Sequence, residues 1–271
     1  MQITVILTCF NRKESTCTCI RSLEQGNRSL ELEFIVVDDA SRDGTKAALE
    51  AMADQGSRIH IIEGDGNLYW AGGMRMGIQY AKEHTDTEYY LLVNDDVEFS
   101  EHSIERMLEQ IEPSSVMVGP VCDAGGAMSY GGIRYTGEGV HYGIIGPGDE
   151  HRECDTFNAN CVLMPGDIFR KAPNIDTVYK HSLGDFDYGL CLKRMGIILR
   201  VSDFYAGICS ENPLEQTWRD TSLSRKERIL RKEQIKGAPW KPWFYFLRKN
   251  FGLKKAVVHS LTPYVRILLG R

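Results

Sequence analysis

The chain has 271 residues, of which 42% are apolar and 25% are charged, and these fractions are ordinary for a soluble globular protein. Its length fits one large α/β domain, or one domain with a helical appendage. No run of about 18 apolar residues occurs, so no membrane-spanning helix is predicted from the sequence.

The net charge of −5 conceals a strong asymmetry between the body and the tail of the chain. From residue 221 onwards there are 13 Lys or Arg against only Glu227 and Glu233, which gives a net charge of +11. The preceding 220 residues carry a net charge of −16. The basic tail is therefore expected to meet something anionic. Nucleic acid is disfavoured, because no binding motif is present and the acidic body would repel phosphate backbones.

Eight cysteines are scattered without a Cys-x-x-Cys pair, which favours buried free thiols in a reducing compartment over disulfides. At the amino end the chain enters a strand directly and has no basic region. The sequence thus predicts no signal peptide and a cytoplasmic protein.

Apolar runs alternate with amphipathic stretches through the first half of the chain. Strands are predicted at residues 3–7, 34–37, 59–62 and 89–93, and helices at about 43–55, 64–84 and 103–111. This alternation indicates right-handed βαβ units and a mostly parallel sheet. No Gly-x-Gly-x-x-Gly follows the first strand and no phosphate-binding loop occurs, which disfavours a dinucleotide fold.

Later elements are less regular. A strand is predicted at 116–120, hairpins in the Gly- and Tyr-rich segment 123–148, a strand within 157–164, a helix from about 167, and a strand at 197–201. Residues 181–194 begin as a loop and become a helix. The tail starts with a basic amphipathic helix at 224–235 and continues with aromatic residues. It is expected to pack on the body and to contact a membrane surface.

Two predicted strands end in pairs of acids, Asp38-Asp39 and Asp95-Asp96. Open α/β sheets bind ligands at the carboxyl ends of their strands. Adjacent carboxylates repel each other and favour a divalent cation or a hydroxyl-rich ligand. One pair alone could merely form a turn, but two at one edge favour a site. Two further acids, at 185 and 187, fall in the first turn of a predicted helix, where capping would explain one of them.

Four motifs together resemble those of family 2 glycosyltransferases, in the family's order and at its usual spacing over about residues 3–201. They are Thr8-Cys9-Phe10-Asn11-Arg12, the Val-Asp-Asp-Ala-Ser-Arg-Asp-Gly-Thr run at 37–45, Asn94-Asp95-Asp96, and Gly184-Asp185-Phe186-Asp187. Within the family, segments 70–73 and 181–189 are similar to bacterial rhamnosyltransferase-like enzymes of surface polysaccharide synthesis.

The resemblance implies a GT-A fold, α/β with a mostly parallel central sheet flanked by helices. We expect a nucleotide-sugar-binding and catalytic domain at 1–215 and a basic, aromatic helical extension at 216–271. The implied activity is metal-dependent, inverting transfer of a sugar from a UDP- or dTDP-linked donor to a hydroxyl of a glycan or lipid-linked acceptor.

The resemblance also implies roles for individual residues. Asp185 would be the catalytic base, and Asp96 with Asp95 would hold Mg²⁺ or Mn²⁺. The nucleotide would be bound by Thr8, Phe10, Asn11, Arg12, Asp39, Asn94 and Asp95. The sugar and acceptor side would be formed by Trp70, Gly72, Gly73, Asn160 and Asp187. For Trp70, stacking on a sugar and plain core packing are equally open, whereas Gly72 and Gly73 are expected to let the backbone approach the ligand.

Two departures from the family pattern leave alternatives open. Gly184 replaces the usual Glu before the base, and Cys209-Ser210-Glu211 stands where a His often follows the last strand. The third metal ligand is thus undecided between Cys209 and Glu211. An inactive nucleotide-sugar-binding protein remains an alternative. A sugar-1-phosphate nucleotidyltransferase is less favoured, because it would normally show a Gly-rich loop with Arg and Lys after the first strand.

Overall fold

The computed structural model describes residues 1–137, 140–210 and 215–270. Helices in this part of the chain are α1 (Lys13–Gly26), α2 (Thr45–Asp54), α3 (Tyr69–His84), α4 (Ser103–Gln110), α5 (Gly166–Lys171), α6 (Gly184–Arg194), α7 (Arg225–Glu233), α8 (Trp240–Phe251) and α9 (Leu253–Leu268). The strands are β1 (Gln2–Cys9), β2 (Glu31–Asp38), β3 (Arg58–Glu63), β4 (Tyr89–Val93), β5 (Glu98–Phe99), β6 (Ser115–Val118), β7 (Val121–Cys122), β8 (Met128–Tyr130), β9 (Gly132–Tyr135), β10 (Tyr142–Ile145), β11 (Glu153–Cys154), β12 (Thr156–Phe157), β13 (Cys161–Pro165), β14 (Ile198–Val201) and β15 (Gly207–Ile208).

The central sheet has eight strands in the order β11-β14-β6-β13-β4-β1-β2-β3. Strands β3, β2, β1 and β4 are mutually parallel, as the alternation of strands and helices predicted. Strand β13 pairs antiparallel with both β4 and β6, and β6 pairs parallel with β14. The predicted α/β class is confirmed, with β13 as the antiparallel member at the centre.

Side chains that alternate along the buried strands supply two hydrophobic cores, one on each face of the sheet. In β1, Ile6 faces the core built with α3, α6 and α8, whereas Val5 and Leu7 face the core built with α1, α2 and α4. In β4, Leu91 and Leu92 divide between the two cores in the same way. Helices must therefore cover both faces, and the carboxyl edge of the sheet is left for loops.

Glycines bring α3 unusually close to β1. A Cβ atom at Gly73 would lie 2.7 Å from Thr8 Cβ, and one at Gly77 would lie 2.7 Å from Ile6 Cγ2. Packing on β1 is a sufficient reason for a glycine at position 73, and the predicted approach of its backbone to a ligand stays a prediction. Thr8 is buried by this packing and its hydroxyl donates to the Val37 carbonyl at 3.1 Å, and the nucleotide contact of Thr8 stays a prediction.

Smaller sheets flank the central one. Strands β10-β9-β12 form one and β5-β15-β7-β8 form another, so the Gly- and Tyr-rich segment does contain hairpins. The single strand predicted within 157–164 is divided, because β12 pairs with β9 whereas β13 joins the central sheet. The intervening turn, 158–160, presents Asn160 at the edge where the two sheets meet.

The C-terminal extension, residues 216–270, packs on the body. Phe246, Leu247 and Ala256 are buried in the same core as α3 and α6. Asp187 is 2% exposed and accepts from Lys249 Nζ at 2.6 Å and from Asn250 Nδ2 at 2.9 Å. This carboxylate points to α8 and fastens the extension, and the acceptor contact predicted for Asp187 stays a prediction. The domain boundary after residue 215 stays a prediction.

We predict that Gly73→Ala lowers the melting temperature by about 4–8 °C, from an overpacking cost of about 2 kcal/mol. The new methyl group would overlap Thr8, a β-branched residue with little rotamer freedom. Thermal unfolding followed by circular dichroism checks this. Gly72→Ala is the matched control, because it gains the same helix propensity and its nearest neighbour would be 3.3 Å away. Equal melting temperatures for the two variants would contradict the packing described for Gly73.

Candidate active site

The carboxyl ends of β1, β2 and β4 lie side by side, and the residues that follow them form one polar edge. Asp39 follows β2 and is 3% exposed. Its Oδ1 accepts from the Gly66 amide at 2.7 Å, and its Oδ2 accepts from the amides of Leu68 and Tyr69 at 2.9 and 3.1 Å. A carboxylate has about four acceptor positions, so one is left for a ligand. The nucleotide contact of Asp39 stays a prediction.

Arg12 bridges the two acids that follow β4 and offsets part of their charge. Its Nη1 donates to Asp95 Oδ1 at 3.2 Å and to Asp96 Oδ2 at 2.6 Å. Asp95 also accepts from the Thr16 hydroxyl at 3.2 Å. Burial raises the pKa of Asp95 to about 6, and the charge of Arg12 opposes that rise. Arg12 thus lies at the predicted site, although here it contacts acids of its own chain.

The acid pair fits a divalent cation that shares its ligands with a substrate. Asp96 is the more accessible acid, with 30% of its side chain exposed against 8% for Asp95. Within residues 1–137, 140–210 and 215–270, no group of three or more His, Cys, Asp or Glu side chains is placed to hold a metal ion. Two carboxylates are nevertheless the usual protein share for Mg²⁺, whose remaining ligands are phosphates and water.

The structure bears differently on the two residues suggested as a third ligand. The Cys209 thiol donates to Asp96 Oδ1 at 3.5 Å, and it accepts from Asn160 Nδ2 at 3.6 Å. Burial, with the nearby charge of Asp96, raises the pKa of this thiol to about 12, so it stays protonated. Glu211 lies outside the described residues. Cys209 therefore links the acid pair to Asn160 as a neutral donor.

Hydrogen bonds join the loop that follows β1 to the loop that follows β2. The backbone of Asn11 is in the left-handed region, at φ +52°, and its Oδ1 accepts from the Arg42 amide at 2.7 Å. The Asn11 amide in turn donates to the Ser41 hydroxyl at 2.8 Å. This arrangement leaves Phe10 51% exposed at the polar edge. An exposed aromatic ring there is available to a planar base, and the nucleotide roles of both residues stay predictions.

Trp70 and Asn94 connect this edge to a neighbouring cavity. The indole Nε1 of Trp70 donates to the side-chain Oδ1 of Asn94 at 2.7 Å. The backbone N–H of Asn94 donates to the backbone carbonyl of Asn160 at 3.2 Å. Trp70 both packs against the core and lines the cavity, so its two predicted readings are compatible. Asn94 is adjacent to the acid pair in the chain, and thus the cavity begins where the polar edge ends.

The cavity has a volume of about 690 Å³ and contains the predicted catalytic base. From the body it is lined mostly by polar and aromatic side chains, namely Trp70, Asn94, Tyr130, Tyr135, Tyr142, Asn158, Asn160, His181, Ser182, Asp185 and Phe186, together with Val140 and Leu183. Gly72 and Asp187 do not line it. Burial lowers the pKa of His181 to about 4, so this imidazole is neutral at physiological pH.

Asp185 lies in the first turn of α6, and the cavity reaches its carboxylate. Its Oδ1 accepts from the Phe186 amide at 2.9 Å, and the Ala159 amide adds a second hydrogen bond. These hydrogen bonds lower the pKa of Asp185, but the loss of water on burial has the larger effect and raises it to about 6. A carboxylate with this pKa is ionised at neutral pH and is better matched to proton abstraction than an ordinary aspartate.

The contacts of Gly184 explain why this chain lacks the Glu expected before the base. A Cβ atom at this position would lie 3.0 Å from Ala71 Cβ and 3.2 Å from Ile175 Cγ2. The first turns of α3 and α6 are therefore too close for a larger residue. The same closeness places Asp185 beside Trp70.

The sequence did not reveal that the C-terminal extension forms the opposite wall of the cavity. Its contribution is Gln216, Thr217, Trp218, Arg219, Arg231, Lys232, Gln234, Lys236, Gly237, Ala238, Trp243, Phe246 and Pro263. The available signal was the excess of basic and aromatic residues after position 216, which also suits a membrane surface. No helix in the described ranges combines the length and apolar character needed to cross a membrane.

Comparisons with solved structures agree with this architecture. The chain is similar to a mannosyltransferase from Pyrobaculum calidifontis solved with GDP-Man and Mn²⁺, at a TM-score of 0.58 and 14% identity, covering 99% of this chain and 73% of that one. It is also similar to residues 1–349 of TarS from S. aureus, at a TM-score of 0.60 and 14% identity, covering 98% and 81%. The fold is GT-A, as the motifs implied.

Curated relatives match shorter stretches. A teichoic acid poly(glycerol phosphate) polymerase of Staphylococcus epidermidis is 27% identical over 121 residues, which are 44% of this chain and 16% of that protein. An uncharacterized protein of Methanocaldococcus jannaschii is 22% identical over 111 residues, 41% of this chain and 47% of its own length. The chain thus spans less than half the length of the curated relatives it matches.

The sequence profile described as Glycosyl transferase family 2 matches residues 4–172, which is more than half of the chain. That range includes the first loop, both acid pairs and Asn160. On this match, together with the fold, the chain belongs to glycosyl transferase family 2.

Proposed function

We propose that the protein is a metal-dependent inverting glycosyltransferase, which moves a sugar from a nucleoside-diphosphate sugar to a hydroxyl group. One observation carries the proposal. Asp185 opens into the same cavity as Trp70 and Asn94, and Asn94 directly precedes the acid pair Asp95-Asp96. The residues proposed as the base and as the phosphate-binding edge would then lie at two ends of one continuous site.

The donor would lie along the polar edge of the sheet. Phe10 and Asp39 would contact the base, and Asp95 and Asp96 would hold Mg²⁺ or Mn²⁺ at the diphosphate. A bound cation would stabilise the negative charge that develops on the leaving nucleoside diphosphate. Arg12 already lies within 3.2 Å of both acids and would have to share them with that cation.

The acceptor would enter the cavity from the side of the C-terminal extension. Inversion is a single displacement, in which the attacking hydroxyl must lose its proton to a base on the side opposite the leaving group. Asp185 lies across Trp70 and Asn94 from the acid pair, which supports that assignment. The Trp70 indole offers an apolar face to the transferred sugar, and Asn160 offers an amide.

The relatives suggest the setting of the reaction. The names of two of them refer to teichoic acid and to transfer of mannose, and one structure contains GDP-Man with Mn²⁺. We propose bacterial surface polysaccharide synthesis as the pathway, with a UDP- or dTDP-linked donor and a glycan or lipid-linked acceptor, in a cytoplasmic protein.

Replacing the base should separate turnover from binding. We predict that Asp185→Asn lowers kcat by about 10²–10⁴-fold, because the amide cannot accept the proton, and leaves nucleoside diphosphate affinity within twofold. Donor turnover and calorimetry measure the two quantities. Asp167→Asn is the matched control, since Asp167 also occupies the first turn of a helix, on an exposed surface of α5. Unchanged turnover in Asp185→Asn would remove this residue from the mechanism and favour a binding protein.

The pH profile tests the same assignment. Since the base acts in its ionised form and its pKa is raised to about 6, kcat should rise with pH and level off above that value. At pH 5 the rate should be about a tenth of its plateau. Asp95 has a similarly raised pKa, so the residual rate of Asp185→Asn is the control. If that variant keeps the same pH step, Asp95 and not Asp185 produces it.

Metal dependence can be measured without the sugar. We predict that UDP or dTDP binds at least tenfold more tightly with Mn²⁺ than with a chelator, because Asp95 and Asp96 otherwise repel its phosphates. Asp96→Asn should remove most of the difference in affinity. Asp86→Asn is the control and should not, because Asp86 is 87% exposed and pairs with Arg170. Calorimetry that gives equal affinities with and without Mn²⁺ would argue against the metal site.

We further propose that the extension contacts an anionic membrane surface. Its last helix, α9, buries Ala256, Ser260 and Ile267 on one side. A neighbouring arc of roughly 140° leaves a row of apolar side chains exposed to solvent: Leu253 at 61%, Val257 at 48%, Val258 at 56%, Leu261 at 52%, Val265 at 51% and Leu268 at 57%. Lys255 and Arg266 lie beside this row, and Lys254 lies within its arc at the first turn of the helix. An apolar row flanked by cations is suited to anionic headgroups.

Vesicle flotation tests this contact. The protein should float with vesicles that contain phosphatidylglycerol at low salt, and less so at high salt, because part of the attraction is electrostatic. Leu261→Asp should abolish flotation, since it places an anion in the apolar row. Met195→Asp, at a residue 45% exposed on the body, is the control and should still float. Absence of the wild-type protein from the floating fraction would overturn the proposed contact.

A further inference from the structure

The wall that the C-terminal extension contributes to the cavity is strongly cationic. Arg219, Arg231, Lys232 and Lys236 line it, whereas Asp185 is the one carboxylate among the described lining residues. A neutral sugar hydroxyl does not need four cations near the base that deprotonates it. The charge of this wall therefore requires an explanation beyond binding a neutral acceptor.

None of these four cations makes a salt bridge or a hydrogen bond to a carboxylate in the described part of the chain. Arg231 Nη2 donates to the neutral Oε1 of Gln216 at 3.2 Å, and the Arg219 guanidinium lies 5.3 Å from the ring of its neighbour Trp218. The two acids of α7, Glu227 and Glu233, act on Arg231 and Lys232 through charge but make their hydrogen bonds elsewhere. Glu227 completes the capping box of α7, and Glu233 accepts from the Trp240 amide. The positive charge of the wall is thus left for a ligand.

Lys232 provides a second, independent observation. The residue is 2% exposed, yet its ammonium donates only to the Ala238 carbonyl and lies 5.6 Å from the Tyr264 ring. Burial lowers the pKa of this ammonium. The charge of Glu233 opposes this effect but makes no hydrogen bond to the ammonium, and an anion in the cavity would further offset the cost of burying this cation.

The position of the wall separates it from the edge that would take the donor. Arg12, Asp95 and Asp96 do not line the cavity, whereas the cations of α7 and the segment after it lie around the cavity that contains Asp185. An anion held there would be attached to the molecule that presents its hydroxyl to Asp185. Trp218 and Trp243 line the same wall and offer apolar surface to the rest of that molecule.

We propose that Arg219, Arg231, Lys232 and Lys236 form a phosphate-binding subsite for the acceptor, so that the acceptor is a phosphate-bearing alcohol. This inference rests on the proposed function, because it assigns the acceptor class of the same site. The phosphate could belong to a polyprenyl diphosphate carrier or to a phosphodiester-linked glycan. Both present the same chemistry to Arg and Lys side chains.

The test measures binding by the full-length protein saturated with UDP and Mn²⁺, so that the donor site is filled. The probes are farnesyl diphosphate against farnesol, and glycerol 3-phosphate against glycerol. We expect one phosphorylated probe to bind at least tenfold more tightly than its neutral counterpart, and the responsive pair identifies the source of the phosphate. Raising the salt concentration should weaken that binding.

Charge removal then locates the subsite. Arg231→Ala combined with Lys236→Ala should lower the affinity for the phosphorylated probe at least tenfold and leave the affinity for UDP within twofold of the wild type. Arg225→Ala combined with Lys226→Ala removes the same charge from exposed positions of α7 outside the cavity and should change neither affinity. Equal binding of phosphorylated and neutral probes, no binding of either phosphorylated probe, or an equal loss of UDP affinity in the cavity variant would overturn the subsite.

Failure of the subsite and failure of the proposed function are distinguishable. If the cavity variant binds all probes like the wild type while Asp185→Asn abolishes turnover, only the acceptor assignment falls. If Asp185→Asn retains full turnover, the proposed mechanism falls, and phosphate binding by the extension is still measured separately.

Discussion

Two carboxylates at the end of one strand stay together only if positive charge lies between them, and here the guanidinium of Arg12 supplies it. Asp95 is nearly buried, so it would otherwise be driven to its neutral form by the loss of water. The remaining site depends on this arrangement. Asn94 is fixed by the same turn, it orients Trp70, and Trp70 packs beside the first turn of α6, where Asp185 begins the cavity.

The fold divides the work between its two ends. The parallel strands β1, β2 and β4 present loops that suit a nucleotide and a cation, and these loops are held mainly by hydrogen bonds to backbone amides. The other half is assembled from α6, the turn between β12 and β13, and the extension. Its lining is aromatic and cationic, and it suits a bulky alcohol better than a nucleotide.

The strands and the acid pairs were accessible from the sequence, because buried strands are short apolar runs and each acid pair follows one directly. The same local signals could not show what lies across space. Gly73 and Thr8 are 65 positions apart. Only the packing of α3 on β1 shows that Thr8 leaves no room for a side chain at position 73. Asp187 resembled a site residue because it neighbours Asp185, but a helix turns by about 100° per residue and directs it to α8. The division between β12 and β13 was missed because strand partners are set by long-range pairing.

The hydrogen bonds from Lys249 and Asn250 to Asp187 join the extension to α6, the helix that carries the proposed base Asp185. Under the proposed function, this attachment fixes the extension as the acceptor-side wall of the site. Divergence in this part of the chain could retune which alcohol is admitted while the nucleotide-facing loops stay unaltered, so that new linkages would arise without rebuilding the donor half.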